Sequence, residues 1–140
     1  MIASSGAGLR PAELIAGGRG DPPRVPESHD WRDACALEDV PPDCGVAALL
    51  IGRQVAIVRV GEGEGERVFA VSNYDPFSEA FVIARGIVGD REGVPKIASP
   101  IFKQSFDLAT GQCLDDASVR IPSYPIRVRD GRVCICVTPD

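Results

Sequence analysis

Ile126-Arg127-Val128-Arg129-Asp130-Gly131-Arg132-Val133-Cys134-Ile135-Cys136-Val137 decides the fold class. Apolar and polar residues alternate on both sides of Asp130-Gly131, which is the period of a half-buried β-strand. Asp-Gly at a two-residue turn is a strong hairpin signal, because both central residues must accept positive φ. The period predicts Ile126, Val128, Val133, Ile135 and Val137 on the buried face. Cys134 and Cys136 fall at i and i+2 and share a face, with Cα atoms roughly 6.5 Å apart, near the upper limit for a disulfide.

The same pattern recurs upstream. Residues 44–51 and 54–60 are rich in Val, Ile, Leu and Ala and read as a hairpin joined by Gly52-Arg53. Residues 67–72 form another strand, beyond a solvated tip of alternating Gly and Glu at 61–66. Residues 104–108 and 112–114 flank Ala109-Thr110-Gly111, a further hairpin. Asp30 to Cys35 reads as a short edge strand with Trp31 as a core anchor. The chain then turns through Pro41-Pro42, which exclude a central strand. Residues 79–94 have a weaker pattern, and the three glycines within 86–93 mark a long connection. Hairpins without an extended amphipathic helix, with 15 Gly and 12 Pro in the chain, predict an all-β fold. Its form is an antiparallel β-sandwich or small barrel built from hairpins.

Composition limits the partners. A chain of 140 residues is ordinary for one domain and can bury an apolar core without staples. Residues 1–28 are rich in Gly and Pro and poor in apolar material, which predicts a disordered N-terminal extension ahead of a domain spanning 29–140. The net charge of −5 disfavours nucleic acid, whose affinity rests on Lys and Arg contacts to phosphate. No apolar run approaches the ~18 residues a membrane helix needs. Met1-Ile2-Ala3-Ser4-Ser5-Gly6 lacks the basic start and apolar core of a signal peptide, so the expected location is cytoplasmic.

Most catalytic chemistry falls by elimination. Nucleophilic triads need a histidine beside the nucleophile, and His29, at the end of the extension, is the only one. The five cysteines are scattered without a C-x-x-C pair and read as reduced thiols. Cys134 and Cys136 are packed small hydrophobes or a redox pair. The Gly-Glu run at 61–66 would repel phosphate and opens no helix. Asp115-Asp116 is an obvious carboxylate pair, of the kind that marks a solvated turn in so acidic a chain.

Two loops remain, Asn73-Tyr74-Asp75-Pro76-Phe77-Ser78 and Ser99-Pro100-Ile101-Phe102-Lys103-Gln104, each ending a strand-like run. Asp and Ser before Pro are turn chemistry, since they bond nearby backbone N–H groups while Pro fixes φ. With Phe106-Asp107-Leu108-Ala109-Thr110-Gly111-Gln112-Cys113 behind them, the layout resembles the Rieske [2Fe–2S] fold. That cluster needs two thiolates on one iron and two imidazoles on the other. The corresponding positions here are Asn73, Asp75, Ser99 and Phe102. Their donors are wrong, and one histidine cannot build a His₂ iron.

Further motifs narrow the resemblance. Asn-x-Asp-Pro-Phe-Ser at 73–78, Arg-Gly-Ile-Val-Gly-Asp at 85–90, Ser-Pro-x-x-Lys-Gln at 99–104 and Tyr-Pro-x-Arg-Val at 124–128 resemble the small subunits of NAD(P)H-dependent assimilatory nitrite reductase. The resemblance covers about residues 31–137. It implies a cluster-free, non-catalytic subunit without a cofactor of its own. Its partner would be a large subunit carrying FAD, an iron–sulfur cluster and sirohaem and reducing nitrite to ammonium. On this reading Phe77, Phe102, Lys103 and Gln104 belong to the docking face. The competing readings are a Rieske-type [2Fe–2S] electron-transfer protein and a thiol redox protein using Cys134 and Cys136.

Overall fold

The computed structural model describes residues 30–61 and 63–137. The expected extension over 1–28, and His29 at its end, lie outside the described residues. In chain order the strands are β1 (Trp31–Ala36), β2 (Cys44–Leu50), β3 (Arg53–Val60), β4 (Arg67–Ser72), β5 (Tyr74–Asp75) and β6 (Ala80–Phe81). They continue as β7 (Ile87–Arg91), β8 (Val94–Ala98), β9 (Ser105–Asp107), β10 (Ile126–Arg129) and β11 (Arg132–Cys136). Single 3-10 turns at Leu37–Asp39 and Ile83–Arg85 are the only helical pieces among the described residues. Every ladder is antiparallel, and the sheets run β1-β11-β10, β2-β3-β4, β5-β6 and β7-β8-β9.

The β10–β11 hairpin forms as its alternation predicts. Asp130 and Gly131 take φ of 54° and 75°, so both occupy the left-handed region that a two-residue primed turn requires. Ile126, Val128, Val133, Ile135 and Val137 are all buried. The β2–β3 turn is Ile51-Gly52 rather than Gly52-Arg53, with φ of 42° and 83°, and Arg53 pairs with Leu50 as the first strand residue. A β-branched residue at positive φ is unusual.

The sheet β2-β3-β4 is the middle layer. Val55, Ile57, Val68 and Ala70 face the β1-β11-β10 sheet and share one core with Ile126, Val128, Val133 and Ile135. Ala56, Val58, Phe69 and Val71 face the other way and share a second core with Ile83, Ile97, Phe106 and Leu108. The continuous apolar run of β3 follows from this, because a strand buried on both faces has no polar face to alternate with. The architecture is therefore a sandwich of three layers, and the second core carries the two loops.

Residues 86–93 are not a long connection. They hold β7 and a Glu92-Gly93 turn with φ of 52° and 86°, which returns the chain into β8. β8 carries Pro95 although it is a middle strand. Its ladder with β9 begins only at Lys96, so proline sits where no second strand needs its missing N–H. Trp31 is not a core anchor either. It lies half-buried outside both cores, with the Arg127 guanidinium 4.0 Å from its ring centroid. The Gly-Glu tip is exposed at Gly63, Glu64 and Gly65, but Glu66 turns inward and pairs with Arg59 at 2.8 Å. Arg59 also donates to the carbonyl of Val40 at 2.9 Å.

Asp116 caps the turn at Ser118, whereas Asp115 ties distant segments together. Asp115 accepts the Ser105 N–H at 2.8 Å and pairs with Arg91 at 3.1 Å. The Ser105 bond first, and Arg91 second, hold its carboxyl below the usual carboxylate range. A carboxyl lowered in the folded state adds stability above its unfolded pKa and loses it as pH falls through the folded value. Asp115→Asn should therefore lower the melting temperature slightly at pH 7, and the deficit should shrink as pH falls through the carboxylate range. At 40% side-chain exposure, solvent screening keeps the difference under about 1 kcal/mol. Parallel melting curves over pH 3–7 check this; an equal deficit at every pH would refute it.

Candidate functional site

The two loops leave the ends of β4 and β8, and their bases are tied into the second core. Asn73, which follows β4, is buried. Its backbone N–H donates to the Gln54 carbonyl at 3.0 Å, and its side-chain amide donates to Gln54 Oε1 at 3.1 Å. Its Oδ1 accepts the Ala84 N–H at 2.7 Å. The first loop is thus stapled both to the start of β3 and to the Ile83–Arg85 turn.

Asp75 is completely buried and joins the two loops. Its Oδ1 accepts the Phe77 N–H at 2.9 Å, while its Oδ2 accepts the Ser78 hydroxyl at 2.8 Å and the Ser99 hydroxyl at 2.5 Å. Ser99, equally buried, also accepts the Ile101 N–H at 3.3 Å. Its backbone closes the second loop, donating to Gln104 at 2.8 Å and accepting from Lys103 at 3.1 Å. The turn chemistry expected of Asp75 and Ser99 is present. The bond between them, across 24 positions of sequence, is additional.

A [2Fe–2S] cluster does not fit this donor set. The amide of Asn73 and the carboxyl of Asp75 are consumed by internal hydrogen bonds, Ser99 bonds to Asp75, and Phe102 has no donor atom. The cysteines lie elsewhere, Cys35 on β1, Cys44 on β2, Cys134 and Cys136 on β11, and Cys113 in the bridge to Phe106. Among the described residues no three His, Cys, Asp or Glu side chains stand together to hold a metal.

The thiol pair has little to recommend it. Cys136 is buried and Cys134 half-buried, and neither is disulfide-bonded. Burial pushes the Cys134 thiol above its ordinary range, the opposite of what a reactive thiolate needs.

Geometry and motifs together meet a family pattern. The model of the Rieske-like [2Fe-2S] domain matches residues 30–136. The nitrite reductase (NADH) small subunit of Escherichia coli (strain K12) is 43% identical over 103 residues, covering 74% of this chain and 94% of that protein. This chain belongs to the Rieske-like domain family, in its nitrite reductase small-subunit branch. The solution structure of the nitrite reductase NAD(P)H small subunit from Erwinia carotovora superposes on this Rieske-like domain with a TM-score of 0.68 and 37% identity. It covers 81% of this chain and 85% of its own. A different arrangement occurs in the nitrite reductase NAD(P)H large subunit of Klebsiella oxytoca. There a stretch 35% identical over 113 residues covers 81% of this chain but only 11% of that protein.

The four expected contact residues separate into two kinds. Phe102 is 57% exposed and Lys103 is exposed beside it, with φ of 68°. Phe77 is half-buried against the second core, 6.2 Å from the Phe106 ring centroid, and Gln104 is also half-buried. Sequence reasoning missed Leu49, Ile51, Phe81, Ile87 and Ile101, which with Phe102 are the exposed large apolar residues among those described. One signal was available: Leu49-Leu50-Ile51 runs three large apolar residues into a turn, where polar residues are expected.

Proposed function

We propose that this chain is the cluster-free, non-catalytic small subunit of a cytoplasmic NAD(P)H-dependent nitrite reductase. The complex reduces nitrite to ammonium in nitrate assimilation, and its FAD, iron–sulfur cluster and sirohaem reside in the large subunit. The carrying observation is the buried network at Asn73, Asp75 and Ser99, in which side chains bond to each other and to backbone instead of to iron. The named relatives point to the complex, and the network explains why this member needs no metal to hold its loops. Among the described residues no helix is long and apolar enough to cross a membrane.

Iron and acid-labile sulfide analysis of the purified chain, with its visible spectrum, tests the reading. The expected result is no stoichiometric iron or sulfide and no cluster absorbance. Two irons and two sulfides per chain would instead favour the Rieske-type electron-transfer protein. Nitrite-dependent NAD(P)H oxidation should require the co-expressed large subunit and be absent from this chain alone.

A further inference from the structure

We propose that the loop end of the domain, centred on Leu49, Ile51, Phe81, Ile101 and Phe102, is the surface that docks on the nitrite reductase large subunit. This rests on the nitrite reductase reading and names its contact face. All the exposed large apolar side chains of the described residues sit on elements that meet at this end. Leu49 and Ile51 flank the β2–β3 turn. Phe81 ends the β5–β6 hairpin, and Ile101 and Phe102 form the tip of the second loop. Ile87 pairs with Ala98 at that loop's base.

The connections between these elements are direct. Asn73 binds Gln54, which joins the first loop to the β2–β3 hairpin. Leu49, Gly52, Gln54 and Phe81 line one open cleft of about 390 Å³, with Tyr124 at its wall. Asp75 and Ser99 join the first loop to the second. The apolar groups therefore stand on a tethered rim, and little ordering entropy remains to be lost when a partner covers them. Exposed apolar residues gathered on one end, rather than scattered singly, mark an interaction surface. Other parts of the surface differ. The β1–β11 edge carries the Asp33–Arg132 ion pair, already satisfied within the chain at 2.6 Å, and the Gly63 to Gly65 tip offers small or acidic groups.

The occupant follows from the Klebsiella oxytoca comparison. There a domain like this one is part of the large-subunit polypeptide and held to it covalently. A separate chain has no such tether, so it must hold the same partner through its surface, and the loop end is where unsatisfied apolar area lies. Clustered aromatic and aliphatic side chains of this kind supply most of the affinity in protein interfaces.

The test uses the full chain and its cognate large subunit, with titration calorimetry and the nitrite-dependent NAD(P)H oxidation assay. Leu49→Asp and Phe102→Asp should each weaken binding by about tenfold or more. Glu64→Lys and Arg129→Glu, on other surfaces, should stay within about twofold, the expectation for residues outside the contact. Leu49 is 70% exposed, so the variants should fold, and unchanged melting temperatures verify it. If an Asp variant melts early, Phe81→Ala and Ile101→Ser replace it. Wild-type binding with unaltered binding by the loop-end variants would overturn this face while leaving the nitrite reductase reading standing. No binding and no nitrite-dependent activity with wild type would overturn both. A chain that sediments as a dimer, made monomeric by Phe102→Asp, would show the occupant to be a second copy and overturn the assignment.

Discussion

Gly111→Ala should be the most damaging single substitution in the domain, lowering stability by about 4 kcal/mol or more. Gly111 has φ of 83°, and a Cβ there would lie 1.9 Å from the Ile121 carbonyl oxygen. That oxygen is backbone, and Ile121 is itself fixed by donating its N–H to the Gly111 carbonyl at 2.9 Å. Neither segment can yield without opening the isolated Gln112–Arg120 bridge that closes the 108–113 turn onto the chain beyond it. Positive φ alone does not account for the expected loss. Gly131 has φ of 75° with nothing within 4 Å of its Cβ position, so Gly131→Ala carries only the left-handed cost of about 1–2 kcal/mol. The difference between the two variants isolates the collision. Thermal melts should show Gly111→Ala falling by roughly 10 °C or more, and Gly131→Ala by much less. Equal losses would mean that the close approach to Ile121 is not a constraint.

How much of this was legible depends on the range of the signal. The Asp130-Gly131 hairpin was readable because its turn and its alternation are both local. So was the turn chemistry at Asp75 and Ser99, where each side chain caps an N–H two residues on. The Asp75–Ser99 bond was not, because nothing periodic relates positions 24 apart. β7 does not read as a strand in the sequence, because Gly89 and Asp90 are both exposed and break alternation, leaving only Glu92-Gly93 as a turn signal. The middle layer could have been recognised. Val55-Ala56-Ile57-Val58 is a continuous apolar run, and such runs belong to strands covered on both faces. The size of Trp31 suggests burial, whereas an edge strand with Arg127 across its face keeps the ring half-buried.

The second large effect is expected at Asp75. Asp75→Ala would leave the buried Ser99 hydroxyl, and the half-buried Phe77 N–H and Ser78 hydroxyl, without their acceptor. At about 1–3 kcal/mol for the buried Ser99 hydroxyl and less for the two half-buried groups, the loss should be roughly 3 kcal/mol. Asp75→Asn keeps the volume. Its carbonyl can still accept the Phe77 N–H, and its amide can donate to two hydroxyls, which accept as readily as they donate. It should therefore cost only about 1 kcal/mol, the net worth of an ordinary hydrogen bond. Ser99→Ala removes one donor. If Asp75 truly links the loops, Asp75→Ala and Ser99→Ala will not add, and the double-mutant cycle should return a coupling of about 1–2 kcal/mol. Binding to the large subunit should weaken alongside stability, since Phe102 stands on the loop whose base Ser99 closes. Additive losses would mean that the two loops are held independently. In that case the Asp75–Ser99 bond could not be what keeps the loop end ordered.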